Sequence, residues 1–327
     1  MKKLIYLVAA SLVMLAAISC QGEKTNTIKV ISYNIRVGGD WDGDNKWDNR
    51  KQASLNMIND EKPTLFGLQE ATPIQMEYLI ENLPQYGHIG VGREDGVASG
   101  ENMSIFYLKD EVELLDGGTF WLSETPEQPS MGWDAACKRT CTWTKLKMKS
   151  TGKEFVYMNT HLDHVGIEAR KQGLALIVER ANEIVPEGTV FLTADFNALT
   201  TNPIFDDLKS VMKDAREEAP VTDRRGTYNG WNKENVNNPD CVIDHIFYRA
   251  AEAHSFRVLC DKNYGAPYIS DHYPIYARFG LAEIFVPAPV TDVDFTGNLS
   301  DDHIAEDMYN QIENDGSHED YKPVDVF

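Results

Sequence analysis

Short apolar segments of this chain repeatedly end in a carboxylate, an amide or an imidazole, and this recurrence constrains the fold more than any other feature. The polar residues at these segment ends are Asn34, Glu70, Asn159, His161, Asp195, Asn197, Asp271 and His272. Active sites of α/β proteins collect their side chains at the carboxyl ends of strands. A single Asn or Asp after a strand is commonly a turn residue. Because five segments of the chain end in such residues, an active site is favoured over a set of turns.

The apolar pattern predicts strands and helices interspersed along one large α/β domain. Alternating or β-branched runs predict strands over 28–33, 64–68, 88–91, 103–108, 112–122, 140–148, 155–160, 189–193 and 273–279. Two further runs, 242–248 and 255–259, predict a hairpin. Helical spacing predicts helices over 50–58, 74–83 and 166–185. This order suggests two sheets packed face to face and flanked by helices.

Net charge limits the range of partners. The chain has 327 residues and a formal charge of −20, from 31 Lys and Arg against 51 Asp and Glu. Such acidity argues against a protein that coats duplex nucleic acid, because phosphates require a basic footprint. Residues 281–327 hold twelve acidic side chains and one basic one, which leaves −11 on residues 21–280. We assign the domain to residues 28–280 and an acidic tail to residues 281–327.

The first twenty residues resemble a bacterial lipoprotein signal. Lys2 and Lys3 precede the apolar run Leu4–Ile18, which is short for a membrane span, and small residues then precede Cys20. The resemblance implies a lipid on Cys20, a polar tether over 21–27, and a domain anchored to the membrane of the bacterial cell envelope, facing outside the cytoplasm. Ordinary secretion with cleavage nearby is the alternative.

Four further cysteines remain outside the signal: Cys137, Cys141, Cys241 and Cys260. Four cysteines allow three pairings, and the sequence does not choose among them. Cys241 and Cys260 are placed to face each other across the predicted hairpin, whereas free buried thiols are the alternative. No cysteine pair has the CxxC spacing of a zinc site.

The polar residues at the strand ends have the chemistry of phosphoester hydrolysis. Mg²⁺ or Mn²⁺ prefers oxygen ligands and takes few of them from protein. Oxygen donors of this kind are Glu70, Asn34, Asp271 and Asp195. In-line displacement also requires a carboxylate beside the attacking water and donors for the oxygens that gain charge. Residues of these types are Asp195, Asn197, His161 and His272.

Six ordered motifs carry a family resemblance. They are Ser32-Tyr33-Asn34, Gly67-Leu68-Gln69-Glu70, Asn159-Thr160-His161-Leu162, Ala194-Asp195-Phe196-Asn197, Ile243-Asp244-His245 and Ser270-Asp271-His272-Tyr273-Pro274. In this order they resemble the motifs of the endonuclease/exonuclease/phosphatase superfamily, which is deoxyribonuclease I-like. The segments 47–51 and 118–126 resemble its secreted bacterial branch. The resemblance implies a four-layer α/β/β/α sandwich of two mixed sheets flanked by helices, and a Mg²⁺-dependent phosphohydrolase.

The resemblance also implies metal ligands. Glu70 is expected to be the principal ligand of Mg²⁺ (or Mn²⁺). Asn34 is expected beside it, holding the metal or a phosphate oxygen. Asp271 is expected to bind a second metal ion or to orient its neighbours.

The remaining motif residues receive catalytic roles from the same resemblance. Asp195 would orient and deprotonate the attacking water, and Asn197 would hold a phosphate oxygen. His272, held in its tautomer by Asp244, would stabilise developing charge or act as an acid/base. His161 would donate to a phosphate oxygen or protonate the leaving group.

Four residues near the motifs are candidates for binding the substrate. Arg36, Arg50 and Arg139 could clamp phosphate with a guanidinium, although ion pairs with acidic residues are the alternative. Asn159 joins them as a candidate phosphate contact. Short phosphoesters are expected to enter beside the three arginines.

Three functions are open to such a chain. The first is a metal-dependent phosphoesterase acting on nucleotides, oligonucleotide ends or other short phosphoesters. The second is an enzyme for sugar, inositol or lipid-headgroup phosphates. The third is an inactive surface binding module, which the intact set of carboxylates and histidines disfavours. We expect a monomer whose partner is a phosphoester, with short nucleic acid among the candidates, and no obligate protein partner.

Overall fold

Two six-stranded mixed sheets form the body of the protein. A computed structural model describes residues 26–281. The first sheet has the strand order β11-β12-β1-β2-β4-β3, and the second has the order β5-β6-β7-β8-β10-β9. The signal with Cys20, most of the tether, and the tail beyond residue 281 lie outside the described residues. No helix within residues 26–281 has the length and apolar character needed to cross a bilayer.

The elements follow one another closely along the chain. The strands are β1 (Thr27–Asn34), β2 (Leu65–Gln69), β3 (Tyr86–Ile89), β4 (Ile105–Leu108), β5 (Val112–Trp121), β6 (Thr140–Met148), β7 (Glu154–His161), β8 (Val190–Asp195), β9 (Lys213–Asp214), β10 (Asp244–Arg249), β11 (Ala251–Val258) and β12 (Ile275–Leu281). The helices are α1 (Trp47–Glu61), α2 (Pro73–Asn82), α3 (Ile167–Ile184), α4 (Ile204–Lys209) and α5 (Ala215–Glu218).

Each sheet has one parallel pair at its centre. Strand β1 runs parallel to β2, with Val30 opposite Leu65, and β7 runs parallel to β8, with Met158 opposite Leu192. The other pairings between strands are antiparallel. The two central pairs therefore bring four strand ends to one edge of the sandwich.

Alternation of side chains along the strands separates three apolar cores. Val30 and Leu65 pack between the sheets, whereas their neighbours Ile31 and Phe66 pack on the outer face beneath α1 and α2. On the second sheet, Val156 and Leu192 pack beneath α3 and α4. The layers are thus helix, sheet, sheet and helix, which confirms the predicted four-layer sandwich.

The predicted hairpin over 242–259 is wrong. Strand β10 pairs with β8 and β9 in the second sheet, whereas β11 pairs with β12 in the first sheet. Ala250, with a φ of 51°, joins the two strands where the chain crosses between sheets. The crossing removes the premise that Cys241 faces Cys260, and all four described cysteines are free thiols. Apolar runs alone do not reveal whether consecutive strands share a sheet.

Other predicted elements differ in extent. Helix α1 begins three residues before the predicted start, and β3 lies two residues earlier than predicted. The short elements α4, β9 and α5 were not predicted, because each is too brief to show a period.

Candidate active site

The inward-facing positions of four strands continue directly into the site. Val30, Tyr157, Phe191 and Ile246 lie in the core between the sheets. Side chains repeat on one face every second residue, so the polar members of the same rows also point inward. Those members are Asn34, His161, Asp195 and Asp244. The site is therefore the polar end of the inter-sheet core.

Three site residues adopt left-handed backbone conformations. Glu70 has a φ of 62°, Arg36 of 56° and Asn197 of 46°. Non-glycine residues rarely adopt positive φ, and such residues cluster at functional sites. Glu70 follows Gln69, which lies on the inward face of β2, so simple alternation would turn Glu70 away. The left-handed turn instead brings its carboxylate into the site.

The Asn34 amide connects the two halves of the sandwich. Its Nδ2 donates to Glu70 Oε1 at 2.8 Å and to Asp195 Oδ2 at 2.9 Å. Its Oδ1 accepts the backbone N–H of Arg36 at 3.0 Å, and Glu70 Oε2 accepts the N–H of Val37 at 3.0 Å. A residue from β1 therefore fixes carboxylates from both sheets in one cluster.

His272 forms a buried ion pair with Asp244. Its Nδ1 lies 2.9 Å from Asp244 Oδ2, and its Nε2 lies 3.7 Å from Asp195 Oδ2. Burial alone would lower the pKa of His272, but the carboxylates of Asp244, Asp195 and Asp271 raise it to about 10. His272 is thus an imidazolium at neutral pH, with Nε2 directed at the carboxylate cluster.

Asp195 has the properties of a general base. Burial raises its pKa, and repulsion by Asp244 raises it further, to about 7, against the opposing charge of His272. Its Oδ1 accepts the backbone N–H of Asn197 at 2.9 Å. A base is most effective when its pKa lies near the working pH. Asp195 meets that condition. Burial would raise the pKa of the neighbouring Glu70 carboxyl, but the charge of Arg36 is the main influence that holds this pKa below its usual range.

His161 is neutral and forms a pair with Asn197. Burial and the guanidinium groups of Arg139 and Arg93 lower the pKa of His161 well below its usual value. Asn197 Nδ2 lies 2.9 Å from His161 Nε2, which then accepts a hydrogen bond. The proton of the ring is left on Nδ1, a buried atom without a hydrogen-bond partner among the described residues. In this arrangement Nε2 of His161 is an acceptor, which differs from the predicted donor role.

One group of side chains fits a hard divalent cation. Ligand atoms of Glu70, His161 and Asp195 lie within 4.8 Å of one another. The two carboxylates match the oxygen donors that Mg²⁺ or Mn²⁺ accepts, whereas His161 Nε2 already accepts from Asn197. The predicted ligand Asp271 is not in this group. It lies 3.7 Å from Arg36, and burial raises its pKa despite that guanidinium.

The predicted arginines have different surroundings. Arg36 lies beside the site, where it joins Asp271 to Asp42, with Nη2 3.1 Å from Asp42 Oδ1. Arg139 is buried and donates to Asp163 at 3.2 Å and to His164 at 2.8 Å. Arg139 therefore acts on the site through its charge, and its predicted contact with phosphate is not supported by these partners.

Arg50 is wrongly predicted as a phosphate ligand. Its side chain is about 1 % exposed, and its five N–H groups donate to five backbone carbonyls. These carbonyls belong to residues 35, 36, 37, 45 and 269. Arg50 thus fastens the loop after β1 to the segment before Asp271. No donor remains for a substrate.

Asn159 is also an internal residue. It is fully buried, and its amide bonds Leu68 O at 2.7 Å, Gln69 Nε2 at 2.7 Å and Thr193 Oγ1 at 2.9 Å. A Cβ at Gly67 would lie 2.4 Å from Asn159 Oδ1, so glycine permits this approach between the sheets. Asn159 joins β2 to the second sheet and is out of reach of phosphate.

The sequence did not single out two residues that shape the site. Asp163 accepts three backbone N–H groups and the Arg139 guanidinium, which fixes the loop after β7. Its place two residues after His161 was an available signal. Tyr228 packs its ring 5.0 Å from the His272 ring. No local signal marks Tyr228, since it lies in a loop far from His272 in sequence.

The fold and the cluster together define a class. An α/β/β/α sandwich that gathers carboxylates, an imidazolium and a neutral imidazole at one end of its inter-sheet core has the architecture of a phosphoester hydrolase. The chain belongs to the Endonuclease/Exonuclease/phosphatase family, whose model matches residues 31–272. Members of this family hydrolyse phosphoesters and generally depend on a divalent metal ion.

Individual relatives support the same assignment. An endonuclease/exonuclease/phosphatase from Bacteroides vulgatus is 38% identical, covers 78% of this chain and 99% of its own, and superposes with a TM-score of 0.74. A mannosyl-6-phosphatase from Bacteroides thetaiotaomicron is 34% identical over 77% of this chain and 99% of its own, with a TM-score of 0.72. Uncharacterized protein L388 of Acanthamoeba polyphaga mimivirus is 26% identical over 259 residues, which are 72% of this chain and 92% of the relative.

Proposed function

We propose that the protein is a divalent-metal-dependent hydrolase of short phosphoesters that uses a water molecule activated by Asp195. The observation that carries this proposal is the position of Asp195 Oδ2. It lies 2.9 Å from Asn34, 3.5 Å from His161 and 3.7 Å from His272, and the carboxyl has a pKa of about 7. A water beside this oxygen can lose its proton near neutral pH.

Each neighbour of Asp195 has a distinct task. The His272 imidazolium, fixed by Asp244, stabilises the negative charge that develops on the phosphoryl oxygens. The Asn34 amide holds Asp195 and Glu70 at a constant separation. Arg36 supplies positive charge at the rim, beside Asp271. Water attacks phosphorus directly, so no residue forms a covalent intermediate.

Glu70 would be the principal ligand of the metal ion, with Asn34 and Asp195 beside it, and Mg²⁺ or Mn²⁺ is the expected species. When bound, the ion would supply polarisation of the phosphoryl oxygen and support for the charge of the leaving group. Neighbouring side chains and burial set the protonation states of the residues around this ion-binding position. Arg36 keeps the Glu70 carboxyl ionised, and burial keeps His161 neutral.

Two substrate classes are the leading candidates, and both are small. Nucleotides and oligonucleotide ends are favoured over long duplexes by the net charge of −11 on residues 21–280. Sugar phosphates are favoured by the 34% identity to a mannosyl-6-phosphatase over 99% of that chain. An inactive binding module remains disfavoured, because a crowded set of buried carboxylates is costly to keep without a catalytic use.

Cell location and assembly are proposed from the sequence. The signal-like segment ending at Cys20 supports a lipid-anchored protein of the bacterial envelope that acts outside the cytoplasm. The large single domain supports a monomer without an obligate protein partner.

A substrate panel tests the proposal. Purified protein is assayed for phosphate release from sugar phosphates, nucleotides and p-nitrophenyl phosphate, and for cleavage of oligonucleotides, with Mg²⁺, Mn²⁺ or EDTA. Asp195→Asn is the inactive control, because it keeps the shape and removes the base. Metal-dependent release that Asp195→Asn abolishes supports the function. Hydrolysis that persists in EDTA, or that Asp195→Asn leaves intact, would contradict it.

A further inference from the structure

A cavity of about 680 Å³ lies beside the loop between β11 and β12. Helix α1 contributes Asn56 and Asp60 to one wall, and the loop contributes Tyr264, Tyr268 and Tyr273 to the other. The lining includes none of the candidate catalytic or metal-binding residues. The volume falls within the range of roughly 300–1,000 Å³ that is usual for small-molecule sites.

The charges that line the cavity balance one another. Asp60 and Asp261 face Lys233 and Lys262, and the lining contains no other charged residue. Lys262 Nζ lies 3.7 Å from Asp60, and Asp261 Oδ1 accepts Arg225 at 2.6 Å. A phosphate or carboxylate ligand would meet no excess of positive charge there. The balance therefore favours a neutral ligand.

Aromatic rings and hydrogen-bonding groups alternate around the cavity. Lys233 Nζ lies 5.4 Å from the Tyr268 ring centroid, and Trp231 meets the same ring edge-on at 5.7 Å. Asn56 and Asn263 add amide groups to the lining. A pyranose ring presents apolar C–H faces and a rim of hydroxyls, so it requires both ring surface and hydrogen-bond partners. Asn56 already donates to Tyr264 O at 2.8 Å and accepts from Gln52 at 3.0 Å, so the exposed Asn263 and Lys233 provide the polar contacts.

The cavity wall is continuous with the active site. Ile269 lines the cavity, and its carbonyl accepts hydrogen bonds from Tyr33 at 2.8 Å and Arg50 at 3.3 Å. The next residue, Ser270, donates to the carbonyl of Asn34 at 2.7 Å. Asp271 and His272 follow in sequence. A ligand in the cavity thus lies against the same loop that positions the catalytic histidine.

We propose that this cavity binds a neutral carbohydrate unit, which in a phosphorylated oligosaccharide is a sugar adjoining the phosphorylated one. Binding of the free sugar does not require hydrolysis, whereas its effect on turnover rests on the proposed function. Tyr268 supplies the ring surface, and Asn263 and Lys233 supply hydrogen bonds to hydroxyl groups. Nucleobases and acidic ligands are the competing classes.

Binding is tested on the full chain by NMR, with α-methyl mannoside, mannobiose, adenosine and inorganic phosphate as separate probes. The proposal expects saturable shifts of the backbone amides of residues 263–266 and 268 with the saccharides. Tyr268→Ala should weaken saccharide binding at least fivefold, and the exposed Lys233→Ala should weaken it without a risk to folding. Tyr107→Ala, a partly buried tyrosine outside the cavity, is the matched control.

Kinetics test the link to the active site. The KM for a phosphorylated disaccharide should be lower than that for the monosaccharide phosphate, and Tyr268→Ala should remove the difference while kcat for p-nitrophenyl phosphate stays unchanged. Saccharide shifts that are absent, that Tyr268→Ala and Lys233→Ala leave unaltered, or that adenosine alone produces would overturn the proposal. Saccharide binding without hydrolysis of any phosphoester would support the cavity and remove the proposed function.

Discussion

The pair of His272 and Asp244 offers a prediction whose size follows from the geometry. Their nitrogen and oxygen are 2.9 Å apart, and both side chains are at most 5 % exposed. Two charges about 4 Å apart at an effective dielectric constant of about 20 interact by about 4 kcal/mol. That energy equals about three pKa units at about 1.36 kcal/mol each. Asp244→Asn should therefore lower the pKa of His272 from about 10 towards 7.

The sign of the stability change follows from the raised pKa of His272. The pair stabilises the fold fully below the ordinary histidine pKa of 6.5, and this contribution is lost as the pH rises through 10. Asp244→Asn should thus destabilise the protein most at about pH 6, by about 4 kcal/mol, and least above pH 10. Its hydrolytic rate at neutral pH should fall at least a hundredfold, because the imidazole loses its charge and its fixed tautomer.

Another buried pair on the same strand provides a matched control. His245 follows Asp244, faces the opposite side of β10, and places Nδ1 2.7 Å from Asp214 Oδ2. Asp214→Asn should lower stability by a similar amount and leave the pH profile of hydrolysis in place. The measurements are NMR titration of His272 in metal-free protein, urea unfolding at pH 6 and pH 10, and pH–rate profiles. An unchanged His272 titration in Asp244→Asn would refute the reasoning, as would an equal rate loss in Asp214→Asn.

Four further predictions concern Glu70, metal binding, Arg50 and the tail. Glu70→Gln should reduce hydrolysis at least a hundredfold and lower the metal-free Tm, because Arg36 and the other partners of Glu70 stabilise its charged form; normal turnover would exclude Glu70 from the site. Mg²⁺ at a hundredfold excess over its Kd should stabilise the wild type by about 2.7 kcal/mol, and Glu70→Gln should lose this Tm shift in calorimetry. Arg50→Lys should lower stability by more than about 2 kcal/mol, since several of its five carbonyl bonds disappear; a rise in KM with unchanged stability would restore Arg50 as a substrate ligand. Truncation after Leu281 should leave hydrolysis unchanged, as measured by phosphate release, and failure to fold would show that the tail belongs to the domain.

Strand periodicity predicted the layers because burial imposes it. The inward rows on β7 and β8 begin with the apolar residues Phe155, Tyr157 and Phe191 and become polar towards the site, and the sequence shows this directly. Whether consecutive strands share a sheet depends instead on one turn. Ala250 adopts a left-handed conformation that its residue type does not favour, and the chain crosses to the other sheet there. The intrinsic propensities of the residues do not show whether β10 and β11 lie in the same sheet, so the hairpin was wrongly predicted.

Residue types at the site could be predicted, and the resemblance also supplied the pair of His272 and Asp244, whereas the partners of Arg50 and Asn159 could not be predicted. Asn34, Glu70, Asp195, Asp244 and His272 meet in one cluster because each ends or adjoins a strand whose end lies at one edge. The same rule selected Asn159, whose row also faces inward. Asn159 lies two residues before His161 and further into the inter-sheet core, opposite Gly67. Its amide oxygen and nitrogen are both used in hydrogen bonds that join the two sheets. The distance of a residue from the edge of the inter-sheet core therefore distinguishes structural from catalytic residues. That distance depends on how the two sheets pack, which the sequence does not show.

The pairing of cations around the site bears on the size of the substrate. Three of them already pair with a carboxylate: Arg36 with Asp42, Arg139 with Asp163, and Lys138 with Glu94 at 3.0 Å. A paired cation releases no counterion from phosphate, so each adds little to the affinity for a polyanion. Residues 21–280 carry −11 in total and would repel a long duplex elsewhere. We therefore expect the protein to contact one or two phosphates of a substrate. The slope of log affinity against log salt concentration should be no steeper than about −2.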